Sequence, residues 1–146
     1  MVSAKLVHQI EDHWDAVGGR LLRVLRCSKS LPHLHQLPES EITEICRRIL
    51  HRLEHWLVSS SDEEISAHYQ KMGRERFSEK MPLSEAVRAL QLMKDVTLEY
   101  VQEEFLTQSA VDVYAEEELE LRLGRFFDLV IYHLVRGYEE AAVPES

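Results

Sequence analysis

The chain has 146 residues, a formal net charge of −9, 5 glycines and 4 prolines. That length suits one hydrophobic core, so few breakers exclude collagen-like, low-complexity and turn-rich β architectures, and the acidity excludes general nucleic-acid binding, which needs a basic footprint. Two cysteines are too few for a disulfide scaffold, no secretory leader opens the chain, and no apolar run of about 18 residues is present to span a membrane, so a cytoplasmic protein is expected.

Charge is unevenly spread. Residues 1–60 carry 8 basic and 7 acidic residues, a net of +1, whereas residues 61–146 carry 9 and 19, a net of −10. The basic part holds Arg20, Arg23, Arg26, Lys29, Arg47, Arg48 and Arg52; the acidic part holds the run Glu116-Glu117-Glu118-Leu119-Glu120. Two solvated helix faces account for this. The alternatives are an acidic partner surface at one end, or mutual attraction of the two ends within a dimer.

Five helices and no strands are predicted. The first covers residues 4–28, where Leu6, Ile10, Trp14, Val17, Leu21, Val24 and Leu25 recur at helical spacing. Gly18-Gly19 predicts a kink, a break or a close helix crossing there. Both cysteines, Cys27 and Cys46, fall on helices and read as small buried hydrophobes. Residues 30–38, with Pro32 and Pro38, read as a loop pinned by its leucines. The second helix covers residues 40–59 with an apolar face from Ile42 to Leu57. Ser61 with Glu64 forms a capping box for a third, more polar surface helix over residues 62–79, stopped by Met81-Pro82. The fourth, residues 83–105, is apolar around much of its circumference and reads as central, with Ser84 or its neighbours as cap. The fifth, residues 113–141, carries the stripe Leu119, Leu123, Phe126, Phe127, Val130, Leu134 and Tyr138. Leu121, Ile131 and Val135 point elsewhere, which marks them as a candidate dimer face. Residues 142–146 read as a tail or the start of a linker, and an output would attach around Tyr138 and that tail.

No Gly-rich phosphate loop, nucleophile elbow or Cys-x-x-Cys pair occurs, so no enzyme is expected. His51 and His55 stand four apart, a spacing that can place two imidazoles on one metal. However, Arg52 stands where a zincin has Glu, and no third ligand is indicated. His33 and His35 share the loop. All four read as surface groups, and neither a metal nor a cofactor is expected.

His68-Tyr69-Gln70-Lys71-Met72-Gly73 resembles the motif of histidine phosphotransfer domains, which implies phosphorylation at His68 with Lys71 neutralising the phosphoryl group. Gly73 stands one residue late for that motif, and Met72 occupies the small position. The length and helices also resemble a globin, but no histidine lies between His68 and His133 to serve as a normal haem ligand. A haem or metal sensor is thus an alternative reading, and a globin-like fold without haem stays open.

A closer resemblance lies in residues 69–90. Gly73-x-x-Arg76 on one helix, the turn Pro82-Leu83-Ser84-Glu85 and a following helix with Arg88 and Leu90 resemble the N-terminal helical domain of the RsbRD type, named from RsbT co-antagonist proteins. Trp56-Leu57 and Phe127-Asp128 are similar in placement. The resemblance implies a cytoplasmic, dimeric signal-input or partner-binding domain without catalytic residues, related to input domains that resemble globins without haem. Pro82 as a stop followed by a helix start fits the physical reading, with Arg74 and Arg76 in reach of Glu79 or Glu85. The candidate functional patch is His68, Arg76 and Arg88. The expectation is one all-α domain over residues 1–146, a bundle of about five helices with a globin-like arrangement as one topology. It would act as a non-enzymatic homodimeric module that signals to an output domain.

Overall fold

The computed structural model describes residues 3–104 and 110–144. Among them it is all-α: α1 (Ala4–Asp12), α2 (Trp14–Cys27), α3 (Pro32–Gln36), α4 (Glu39–Leu50), a π-helical turn (His55–Ser59), α5 (Asp62–Ser78), α6 (Leu83–Glu104) and α7 (Ala110–Ala142). The five expected helices become eight helical elements, and no strand occurs among the described residues. Phe105, Glu145 and Ser146 lie outside them.

The predicted first helix breaks at His13, not at its glycines. His13 (φ −117°, ψ 26°) closes α1, its N–H donating to the Gln9 and Ile10 carbonyls, and opens α2. Both halves bury an apolar face, Val7 and Ile10 from α1 and Val17, Leu21 and Leu25 from α2. Gly18 and Gly19 sit inside α2. A side chain at Gly18 would meet Thr43 and Cys46 of α4 at 3.8 Å, ordinary van der Waals contact, so the pair forces no kink. Cys46 is buried, which pushes its thiol up to about 12. Cys27 is exposed, contrary to expectation.

The predicted loop contains α3, with Pro32 at its first position, where a missing N–H is tolerated. Leu31 and Leu34 are buried. The carboxylate of Glu85, only 3% exposed, accepts the backbone N–H groups of His33 (3.3 Å) and Leu34 (3.1 Å) and so caps α3 from the start of α6.

Ser61 accepts the Glu64 N–H at 3.1 Å and caps α5, as the Ser-x-x-Glu spacing predicts. Although polar in composition, α5 is no surface helix. Ile65, Tyr69, Met72 and Arg76 are buried, and α5 packs along α7 more extensively than any other helix pair. Two glycines permit that approach. A Cβ on Gly73 would lie 2.1 Å from the Leu134 carbonyl oxygen, and one on Gly137 would lie 1.9 Å from that of Gln70.

The end of α5 is a Schellman turn. Met81 N–H reaches the Arg76 carbonyl (3.1 Å), Lys80 N–H reaches that of Phe77 (3.0 Å), and Lys80 takes φ 61°. A side chain in that left-handed region costs about 1 kcal/mol. Lys80→Gly is therefore expected to raise stability by about 0.5–1 kcal/mol in urea unfolding; unchanged or lower stability would count against the strain.

α6 lies between the α2/α4 pair and the α5/α7 pair, contacting α2 and α7, and buries Leu90, Leu92, Met93, Val96 and Tyr100 around its circumference. Ser84 is inside its first turn rather than its cap; the Pro82 carbonyl accepts the Glu85 and Ala86 N–H groups. Arg20 of α2 reaches Glu103 (2.7 Å) and Glu104 (3.3 Å) at the far end of α6, so part of the front's positive charge meets the acidic back within one chain. α7 contributes Leu119, Leu123, Phe126, Phe127, Val130 and Leu134 to one connected core. Its end is tied down by Tyr138, whose hydroxyl donates to the Met81 carbonyl at 2.7 Å.

Candidate functional site

The amphipathic α4 turns Ile42, Cys46, Ile49 and Leu50 inward. Its opposite face and the residues just after it therefore present Arg47, Arg48, His51 and Arg52 together. Cations near a helix C-terminus also suit its partial negative charge. Across from them α5 presents His68, Lys71 and Glu75, which share a face at helical spacing. These side chains line an open cleft of about 380 Å³, with the mostly buried Trp56 and Met72 at its base.

Charge pairing inside the cleft is incomplete. Arg47 holds Glu44 through two bonds of 2.5 and 2.8 Å, and Arg48 lies between Glu44 (3.7 Å) and Glu75 (4.0 Å). Among the described residues no carboxylate lies within 4.0 Å of the Arg52 or Lys71 cation. His68 is exposed along one edge, while its ring packs 4.8 Å from that of Trp56. Partial desolvation lowers its pKa first; Glu75 opposes this, and Lys71, Arg52 and Arg48 reinforce it.

The three patch residues occupy separate surroundings. Arg76 is buried, bonded to Glu79 at 2.6 Å, and lines a neighbouring hollow with Glu41, Glu44 and Glu75. Arg88 is exposed on α6 and donates to Gln91 at 3.2 Å. Only His68 faces the cleft. Of the two pairings foreseen for the arginines, Arg76 takes Glu79 while Glu85 serves α3; Arg74 lies 4.0 Å from Glu140. Gly73 faces α7, where the backbone leaves no room, so it does not open space for a phosphotransfer partner.

The paired histidines are parted by their own contacts. His51 lines the cleft, whereas His55 bonds Glu64 at 2.7 Å. His35 bonds the Leu25 carbonyl at 2.7 Å, away from His33. A grouping that spacing alone did not reveal joins His8, Glu11 and Glu54, with His8 Nε2 2.5 Å from Glu54. Forty-six residues separate His8 from Glu54, so only the fold brings them together.

These histidines titrate in opposite senses. The Glu54 hydrogen bond holds His8 above the ordinary 6.5, whereas desolvation holds His68 and His133 below it. A raised folded value contributes stability below pH 6.5 that is lost as pH rises through that value. A lowered one removes stability as pH falls below 6.5. Side-chain NMR titration is expected to order the midpoints His8 above His68 and His133; a His8 midpoint below either would contradict the His8–Glu54 pairing.

On α7, Leu121 is 54% exposed and aligns with exposed Tyr114 and Tyr132, at intervals close to whole turns. Ile131 and Val135 are half-buried on the flank of that line, and Ile131 packs against the core.

The family model for the RsbT co-antagonist protein rsbRD N-terminal domain matches residues 9–143. The chain belongs to this family. The RsbRD N-terminal domain is a regulatory, signalling-related unit of partner switching rather than a known enzyme family. The match takes in α2 to α7, and with them the Gly73 crossing and the Glu85 cap. Neither a curated protein nor a solved structure matches the chain significantly. The globin-like arrangement gains no support from the eight helical elements among this RsbRD domain's described residues. None of its described helices is long and apolar enough to cross a membrane.

Proposed function

We propose that this RsbRD N-terminal domain is a non-enzymatic signal-input module. It forms a homodimer through the outer face of α7 and passes a change in helix packing to a partner or output. The observation that carries this reading is the exposed line Tyr114, Leu121 and Tyr132, with Leu129 beside it, on a single helix of 33 residues. A helix of that length spans about 50 Å, so it links the dimer face to the chain's C-terminal end as one element. Leu121 is the member of the original face at the centre of the line; Ile131 and Val135 border it.

A second feature supports transmission. Tyr138 fastens the end of α7 to the α5/α6 turn through Met81, and Glu85 in the next turn holds α3. A ligand or partner that favours one packing of this unit by a few kcal/mol would shift its population. The reading is tested by placing the chain ahead of a reporter DNA-binding domain that represses only as a dimer. Repression is expected, and Leu121→Glu with Tyr132→Glu is expected to abolish it while the protein level holds. Repression unchanged by the pair would overturn the α7 interface.

A further inference from the structure

We propose that the cleft between α4 and α5 binds a small anion of the pyrophosphate class, with two or more closely spaced negative charges, held by Arg52 and Lys71. Four permanent cations line the cleft against the single carboxylate of Glu75, in a chain whose net charge is −9. Several cations elsewhere are committed to carboxylates, Arg20 to Glu103, Arg76 to Glu79 and Lys94 to Asp128, and ones without a carboxylate, such as Arg23 and Arg88, stand on the surface apart from the cleft. Arg52 and Lys71 have no such partner within 4.0 Å among the described residues, yet the fold sets them on facing sides of one concave surface. Concentrating one sign of charge in a cleft focuses its field on an incoming counter-charge.

Size and surroundings select a small ligand over an acidic chain. About 380 Å³ accommodates a compact molecule. Beyond the Arg48/Glu75 pair the neighbouring hollow is lined by Glu41, Glu44 and Glu79, which would repel an extended acidic peptide. Arg47 and Arg48, held by Glu44, flank the anion. The groups facing His68 are Lys71 and Glu75 from α5, Arg48 and Arg52 from the α4 side, and the Trp56 ring. An anion among these cations raises the His68 pKa, giving a local readout.

The proposal supplies an input for the signalling role above, and binding is read without reference to dimerisation, so either can fail alone. The test is calorimetric titration of the full chain with pyrophosphate at fixed ionic strength, with the His68 ring followed by NMR. Saturable binding and an upward His68 shift are expected. Arg52→Ala and Lys71→Ala, both exposed positions, should each weaken binding about tenfold with unchanged far-UV circular dichroism. Arg23→Ala, an exposed cation on α2 outside the cleft, should leave it unchanged. The proposal is overturned by absent saturation, by equal weakening in Arg23→Ala, or by tighter binding of polyglutamate or anionic vesicles than of pyrophosphate.

Discussion

Replacing Gly137 by alanine is expected to destabilise the protein by about 3 kcal/mol or more, although alanine is the better helix former. In an exposed helix that exchange gains about 1 kcal/mol. Here the added Cβ would stand 1.9 Å from the Gln70 carbonyl oxygen and 2.6 Å from its carbon. Those atoms are the backbone of α5 and cannot rotate away as a side chain can. The helices must separate by more than 1 Å, which is roughly the shortfall from contact distance and forfeits dispersion along the whole seam. Tyr69, Met72, Phe127, Val130 and Leu134 are buried beside it. Overpacking typically costs about 1–3 kcal/mol, and rigid neighbours place this site at or beyond the upper end. Gly73→Ala should behave alike, because its Cβ would meet the Leu134 carbonyl oxygen at 2.1 Å. Gly19→Ala, with nothing within 4 Å, should be neutral or stabilising. Urea unfolding of the three variants decides the matter; equal stability of Gly137→Ala and Gly19→Ala would contradict the close crossing.

Glu85→Ala is expected to cost about 2–3 kcal/mol. The carboxylate is almost fully buried and accepts two backbone N–H bonds from α3. Hydrogen bonds to a charged group contribute about 1.5–3 kcal/mol, and their loss leaves the Leu34 donor buried without a partner. Removing a buried carboxylate also relieves its desolvation, which keeps the net below the sum of two bonds. Glu85→Gln keeps one acceptor oxygen and should fall between. Hydrogen exchange should show faster exchange at His33 and Leu34 in the alanine variant; unchanged rates with unchanged stability would remove the capping role.

The residues carried much of this arrangement and left the rest to distance. Periodicity in α4 and α7 marked buried faces because each alternates apolar and polar residues at the helical period, α6 read as central because it is apolar around much of its circumference, and Ser61/Glu64 named its own cap. The five-residue α3 escaped because two prolines mask so short a helix, and its cap comes from Glu85, about fifty residues away. α5 read as a surface helix because its apolar residues are few, yet the glycines that bring α7 onto it are invisible to any apolar count. The break at His13 has no strong local signal, whereas the adjacent glycine pair did and proved uneventful. For the candidate site, His68 and the basic run Arg47, Arg48 and Arg52 were each apparent. Their convergence with Lys71 was not, because it depends on how α4 and α5 face each other. His68, Arg76 and Arg88 looked like neighbours because they flank one turn, but helix phase sends them into three surroundings.

Sedimentation equilibrium over micromolar concentrations tests the central claim, that the outer face of α7 joins two copies of this input module. The wild-type chain is predicted to sediment at twice its 17.1 kDa mass. The pair Leu121→Glu and Tyr132→Glu is predicted to sediment at the single mass with an unaltered helical spectrum. A wild-type monomer throughout that range, or a dimer indifferent to both substitutions, would contradict the account.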